Sequence, residues 1–131
     1  MKGFYGNIEK NTLGNNNFRK VLYTGKHSQL VLMSLKPAEE IGMEVHPNND
    51  QFFRFEKGQG KCIIDGNKYE LSEGVAIVVP AGAEHNVINT SAGDSLQLYT
   101  IYSPAHHQDG IVRATKEEAV NGPEFDGKTT E

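Results

Sequence analysis

The stretch from Gly74 to Asn89 constrains this chain more than any other. Gly74 leads into an apolar run, Val75-Ala76-Ile77-Val78-Val79, which is followed by Pro80-Ala81-Gly82 and a second apolar segment carrying His85. Proline and glycine bounding a short turn between two β-branched runs read as strand, turn, strand. The turn delivers His85 near the start of the second strand, well placed to point into whatever the sheet encloses. A lone histidine is more often a structural or surface residue than a ligand, so the reading depends on what else lies at strand spacing.

Similar short runs recur along the chain. Phe18 to Tyr23, Gln29 to Leu35, Ile41 to His46, Gln51 to Glu56, Lys61 to Asp65, Lys68 to Leu71 and Leu96 to Tyr102 each lie between Gly, Asn, Asp or Pro clusters. With the two strands of the opening stretch this makes about nine, at a spacing that suggests a closed barrel or a double sheet. The fold class is therefore all-β. Met1 to Asn17, rich in Gly and Asn, reads as a loosely structured lead-in or an edge strand. Thr115-Lys116-Glu117-Glu118 fits a capping box, which predicts one short C-terminal helix to about Val120, ended by Gly122-Pro123. The expected organisation is one domain over residues 1–131: a barrel core at about 18–104, a loop and helix at 105–121, and a polar, frayed tail at 122–131.

The formal charge of −4 is made of interspersed acidic and basic residues with no basic stripe, which argues against nucleic acid or anionic membrane as a partner. The single cysteine, Cys62, has no partner for an internal disulfide and lies in an apolar strand, so it is expected to be buried and inert. The longest apolar run, Val75 to Val79, is far too short to span a bilayer. These features, with no signal-peptide pattern, lead us to expect a cytoplasmic protein.

Glu44 and His46 are one residue apart on a strand, so they share a face. Gln51 opens the next strand and His85 comes from a third. Two histidines and a carboxylate with open positions are the set used by non-haem iron, and they suit manganese, nickel or zinc nearly as well. As an exposed pair on an edge strand, Glu44 and His46 would instead be inert.

These residues resemble the cupin motifs. Gly74, Pro80, Gly82, His85 and Asn89 match G-x5-P-x-G-x2-H-x3-N without a gap. The other motif, G-x5-H-x-H-x3–4-E-x6-G, is followed in spacing but not in every letter. Glu44 stands for its first histidine, His46 for the second, Gln51 for the acid, and Gly58 for the closing glycine, while Ala38 occupies the opening glycine position. The resemblance covers roughly Gln29 to Tyr102. It implies a jelly-roll barrel in which Glu44, His46, Gln51 and His85 bind one divalent ion (Mn, Fe, Ni or Zn), and a chain that pairs as a homodimer through an N-terminal strand. An alignment with Asp50 as the acid loses the glycine register and puts that side chain on the opposite face, so Asp50 reads as a turn residue.

Alternation from Gln51 sends Phe53 and Phe55 inward, as a substrate-facing wall or as plain core. Tyr99 and Tyr102 lie on opposite faces of the last strand, so at most one faces the cavity. His106 and His107 follow that strand; they are acid–base candidates if they fold over the mouth and surface-loop residues otherwise. The chain is similar to small cupins described as mannose-6-phosphate-isomerase-like, which implies proton-shuttle chemistry on a small sugar-like or carbonyl compound. No glycine-rich phosphate cradle or Lys/Arg cluster flanks the motif, so a neutral or weakly acidic substrate is expected. A mononuclear non-haem iron dioxygenase and a non-catalytic small-molecule-binding barrel are the alternatives, and the sequence does not choose among the three.

Overall fold

The computed structural model describes residues 1–120 and 122–131. In chain order its elements are α1 (Ile8–Leu13), β1 (Arg19–Thr24), β2 (Gln29–Leu35), β3 (Glu44–Val45), β4 (Asp50–Lys57), β5 (Gly60–Ile64), β6 (Asn67–Leu71), β7 (Ala76–Val79), β8 (Glu84–Asn89), β9 (Leu96–Ser103), β10 (Val112–Arg113) and α2 (Lys116–Ala119). They form a six-stranded sheet, ordered β10-β1-β2-β9-β4-β7, and a four-stranded sheet, ordered β3-β8-β5-β6. Every pairing is antiparallel. The all-β cupin barrel with a short C-terminal helix is what the sequence predicts. Among the described residues no helix is long and apolar enough to cross a membrane.

Strand alternation builds the core. In β4 the buried residues are Gln51, Phe53 and Phe55, while Phe52 and Arg54 face outward and are only partly covered. β2 has a different pattern, buried at nearly every position, because β1 and β9 flank it and α1 packs against it from outside. Cys62 is fully buried among apolar neighbours, and burial pushes its thiol up to about 11, so it stays protonated and unreactive.

Three expectations need correction. The lead-in holds a helix, not an edge strand: Asn7 Oδ1 caps it by accepting from Lys10 N at 3.0 Å, and Thr12 is fully buried. Six residues are too few to show a helical period, so tertiary packing decides this segment. The tenth strand, β10, is two residues long, too short to register as a run. It pairs with β1 as Arg19↔Arg113 and Lys20↔Val112, so β1, which has no hairpin partner before it, finds one from the far end of the same chain. The tail is tied down where fraying was expected. Thr130 N donates to Thr24 O at 2.9 Å, and Tyr23 Oη donates to Glu131 Oε2 at 2.6 Å. The C-terminal helix ends at Ala119 with Val120 as its cap; the expected segment 105–121 ends on Asn121, outside the described residues.

Two backbone positions carry opposite strains. Ala38 stands where the motif has glycine and adopts φ +66°, a left-handed conformation that costs an L-residue roughly 1–2 kcal/mol. Gly58 has φ +96°, and a Cβ there would sit 2.5 Å from Ser95 O and 3.0 Å from Leu96 Cα. Ala38→Gly is expected to stabilise by about 0.5–1 kcal/mol, part of the relief being offset by unfolded-state entropy. Gly58→Ala should destabilise by roughly 2 kcal/mol or more. Urea unfolding of the two variants checks this; shifts of the same sign would contradict it.

Candidate metal centre

The register of β3 against β8 builds the site. Glu44 is the direct cross-strand partner of His85, and the pleat brings His46 to the same face two residues on. Glu44 Oε1 lies 3.2 Å from His46 Nε2 and 3.7 Å from His85 Nε2. One ligand atom from each of the three residues falls within 4.8 Å of the others. The turn before β8 is fastened at both ends: Gly82 N donates to His46 O at 3.0 Å, and Ala81 N donates to Asp50 Oδ1 at 2.9 Å. Asn89 closes the motif for a similar reason. Buried, it donates to Leu35 O and Asp94 O and accepts from Ser91 N, fixing the far end of β8.

The donor set suits a cation. His85 Nδ1 lies 3.1 Å from Ala83 O; donation there leaves Nε2 as a bare lone pair. The Nε2 atoms of His46 and His85 are buried without a hydrogen-bond partner among the described residues, and both face the Glu44 carboxylate. The His85 lone pair aimed at an anion repels it unless a positive charge lies between. Separations of 3.2 and 3.7 Å fit neighbouring positions around one ion with ligands at about 2.0–2.2 Å. Burial pushes the Glu44 carboxyl up, but the contact with His46 and the charges of His46, His85 and Arg19 outweigh it, so the carboxyl is held below its ordinary value. Gln51 Nε2 donates to Thr100 Oγ1 at 3.0 Å, while its Oε1 is buried and unpaired among the described residues. Gln51 sits opposite Tyr102 across β4 and β9. Asp50 is exposed.

The segment after β9 folds over this centre. The His106 ring is 4.3 Å from the His46 ring and stacks on Tyr102 at 5.3 Å. His107 Nε2 lies 3.2 Å from Tyr102 Oη. Tyr102 is buried, whereas Tyr99 faces out and packs near Phe52. Phe53 meets the His85 ring edge at 6.4 Å, and Phe55 stacks on Phe53 further in. A chamber of about 210 Å³ opens over Glu44, His106 and His107, walled also by Arg19, Arg113 and Glu124.

Several of these residues escape a sequence reading. Gln29 is buried, and its Oε1 accepts from His106 N at 3.2 Å and His107 N at 3.0 Å while Nε2 donates to His107 O at 2.7 Å. It therefore clamps the backbone that carries both histidines. Its signal is a polar residue heading an otherwise apolar strand. Asn49 Nδ2 adds a bond to Pro104 O at 2.6 Å. Arg19 and Arg113 had no signal, because the strand that joins them is two residues long.

Burial pulls His107 down to about 2 and also lowers His106. The folded protein thus keeps His107 neutral where the unfolded chain takes a proton, below about pH 6.5. The associated stability is complete above that pH and declines as pH falls below it. We expect metal-free protein to lose stability steadily from pH 7 to pH 5 in urea unfolding, and His107→Gln to show a shallower slope. An unchanged slope in the variant would contradict the neutral state.

Residues 31–102 match the family model described as Cupin domain. An uncharacterised protein of Acanthamoeba polyphaga mimivirus is 50% identical over 109 residues, covering 81% of this chain and 68% of that protein. The uncharacterised protein YrkC of Bacillus subtilis is 49% identical over 125 residues, covering 91% and 67%. Among solved structures, the crystal structure of BH2720 from Bacillus halodurans superposes with a TM-score of 0.86 at 43% identity, covering 88% of this chain and 92% of that one. With its motif residues assembled inside a barrel of that shape, the chain belongs to the cupin superfamily.

Proposed function

We propose that the chain is a metal-dependent enzyme acting by proton transfer on a small carbonyl or hydroxy compound, chemistry of the isomerase type. The observation that carries this reading is the His106 ring packed 4.3 Å from the His46 ring at the floor of an open chamber. Glu44, His46 and His85 would hold the ion, with Gln51 Oε1 as a weaker fourth ligand. A divalent ion, when bound, polarises a carbonyl or hydroxyl oxygen and supplies the electrostatic part of the catalysis.

The chain's own residues divide the remaining work. Burial and the Glu44 charge push the Tyr102 phenol well up, so it stays protonated and is hydrogen-bonded to His107 Nε2. That bond occupies both groups. Among the described residues the His106 ring nitrogens make no hydrogen bond, and burial keeps the ring neutral at pH 7, so it is the group free to accept and return a substrate proton. Gln29 and Asn49 hold it in register through the backbone. Phe53 backs the His85 ring and keeps water from that side.

The donor set also favours a second reading. Two histidines and one carboxylate are the set of mononuclear iron dioxygenases. Oxygen consumption that requires iron and is absent with zinc or manganese would select it.

Isothermal titration of manganese, iron, nickel and zinc tests the site. Glu44→Gln removes the only ligand charge and should weaken binding by more than about tenfold, and by more than Gln51→Ala does. Gln51→Glu should tighten it. If His46→Ala and His85→Ala both bind as wild type does, the group is not a metal site. His106→Gln should leave metal affinity unchanged and lower turnover by about 10²–10⁴-fold once a substrate is in hand; metal and ligand binding without turnover would leave only a binding barrel.

A further inference from the structure

Arg19 and Arg113 face each other across the β1–β10 pair, and both line the chamber outside the metal centre. Like charges directly opposite in an antiparallel pair repel. Among the described residues neither guanidinium lies within 4.0 Å of a carboxylate oxygen. Arg19 Nε is buried and has no hydrogen-bond partner among the described residues. A guanidinium cannot shed its proton to relieve this. Arg19 lines the same chamber as Glu44, His106 and His107, and its charge acts on all three.

The charge balance of the chamber then points one way. The two arginines are matched by Glu44 and Glu124. A divalent ion on Glu44, His46 and His85 brings two positive charges that nothing lining the chamber compensates. The volume, about 210 Å³, is below the roughly 300 Å³ at which pockets for drug-sized ligands begin. The planar fork of a guanidinium pairs with a carboxylate through two parallel bonds.

We propose that the substrate is a small carboxylate, a 2-oxo or 2-hydroxy acid, whose acid group sits on Arg19 with Arg113 behind it and whose neighbouring oxygen faces the metal centre. This rests on the metal reading above and names the substrate class of the same site. It narrows the sequence expectation of a neutral or weakly acidic substrate to an acid, which the sequence could not do because Arg19 and Arg113 are 94 positions apart and meet only through a two-residue strand.

The test is calorimetric titration of pyruvate, lactate, methyl pyruvate and inorganic phosphate into zinc-loaded protein, with zinc affinity measured separately on each variant. Pyruvate and lactate should bind, more weakly as sodium chloride rises, and methyl pyruvate should not. In zinc-saturated protein Arg19→Gln should weaken pyruvate by about 10- to 100-fold, beyond any change in zinc affinity, and Arg19→Lys should recover part of the loss. Equal binding of pyruvate and its methyl ester to wild type would overturn the proposal without any variant. So would an unchanged pyruvate affinity in Arg19→Gln, phosphate binding tighter than pyruvate, or failure of both acids to bind zinc-loaded wild type. Wild-type protein that takes up no zinc, manganese, iron or nickel would sink the metal reading itself and this inference with it.

Discussion

Two imidazole nitrogens, Nε2 of His46 and Nε2 of His85, are buried facing a single carboxylate oxygen with no hydrogen-bond partner among the described residues. Burying a polar atom unpaired costs on the order of 1–3 kcal/mol, so an arrangement of this kind persists only where the surrounding structure imposes it. Here the imposition comes from the β3–β8 register, the turn held between His46 and Asp50, and the aromatic floor of Phe53 and Phe55. β3 is only two residues long, and its cross-strand bonds alone would not hold Glu44 in place. The lead-in to β3 is therefore fastened separately: Gly42 N donates to Asn86 Oδ1, and Ile41 N to Val87 O.

Outside this centre a second layer is governed by protons. Burial holds the Tyr102 phenol above its ordinary range and the His107 imidazole below its own, so the bond between them joins two neutral groups. The His106 ring beside them makes no hydrogen bond among the described residues. Four of the chain's five histidines thus lie within one cluster: His46 and His85 face the Glu44 carboxylate, His107 bonds to Tyr102, and the His106 ring packs between His46 and His107.

Much of this was legible in the chain. The Gly74 to Asn89 motif locates β7, the turn and β8, and its spacing puts His85 on the enclosed face. Period two in β4 assigns Gln51, Phe53 and Phe55 inward with no other information. Even the departure at Ala38 carried meaning, since the backbone there keeps the glycine-like φ that the motif demands. What the sequence hid depends on contacts between distant segments. Gln29 reads as a strand start and becomes a clamp only when residues 106 and 107 arrive from 77 and 78 positions away. The helix at Ile8–Leu13 is stabilised by the sheet it covers, and β10 exists only because β1 is beside it.

The tail has a consequence for how such a protein changes over generations. Gly122, Pro123 and Glu124 form part of the chamber wall, and Phe125 N bonds His106 O at 3.0 Å, yet none of them belongs to the core. The barrel strands fix the ligands through registers that tolerate little drift, whereas this strap is held by a few surface hydrogen bonds. Mutation can reshape it without unsettling the sheets. The chamber wall and the Glu44, His46 and His85 group are therefore shaped largely by different stretches of the gene, and the strap can vary in sequence while that group keeps its geometry.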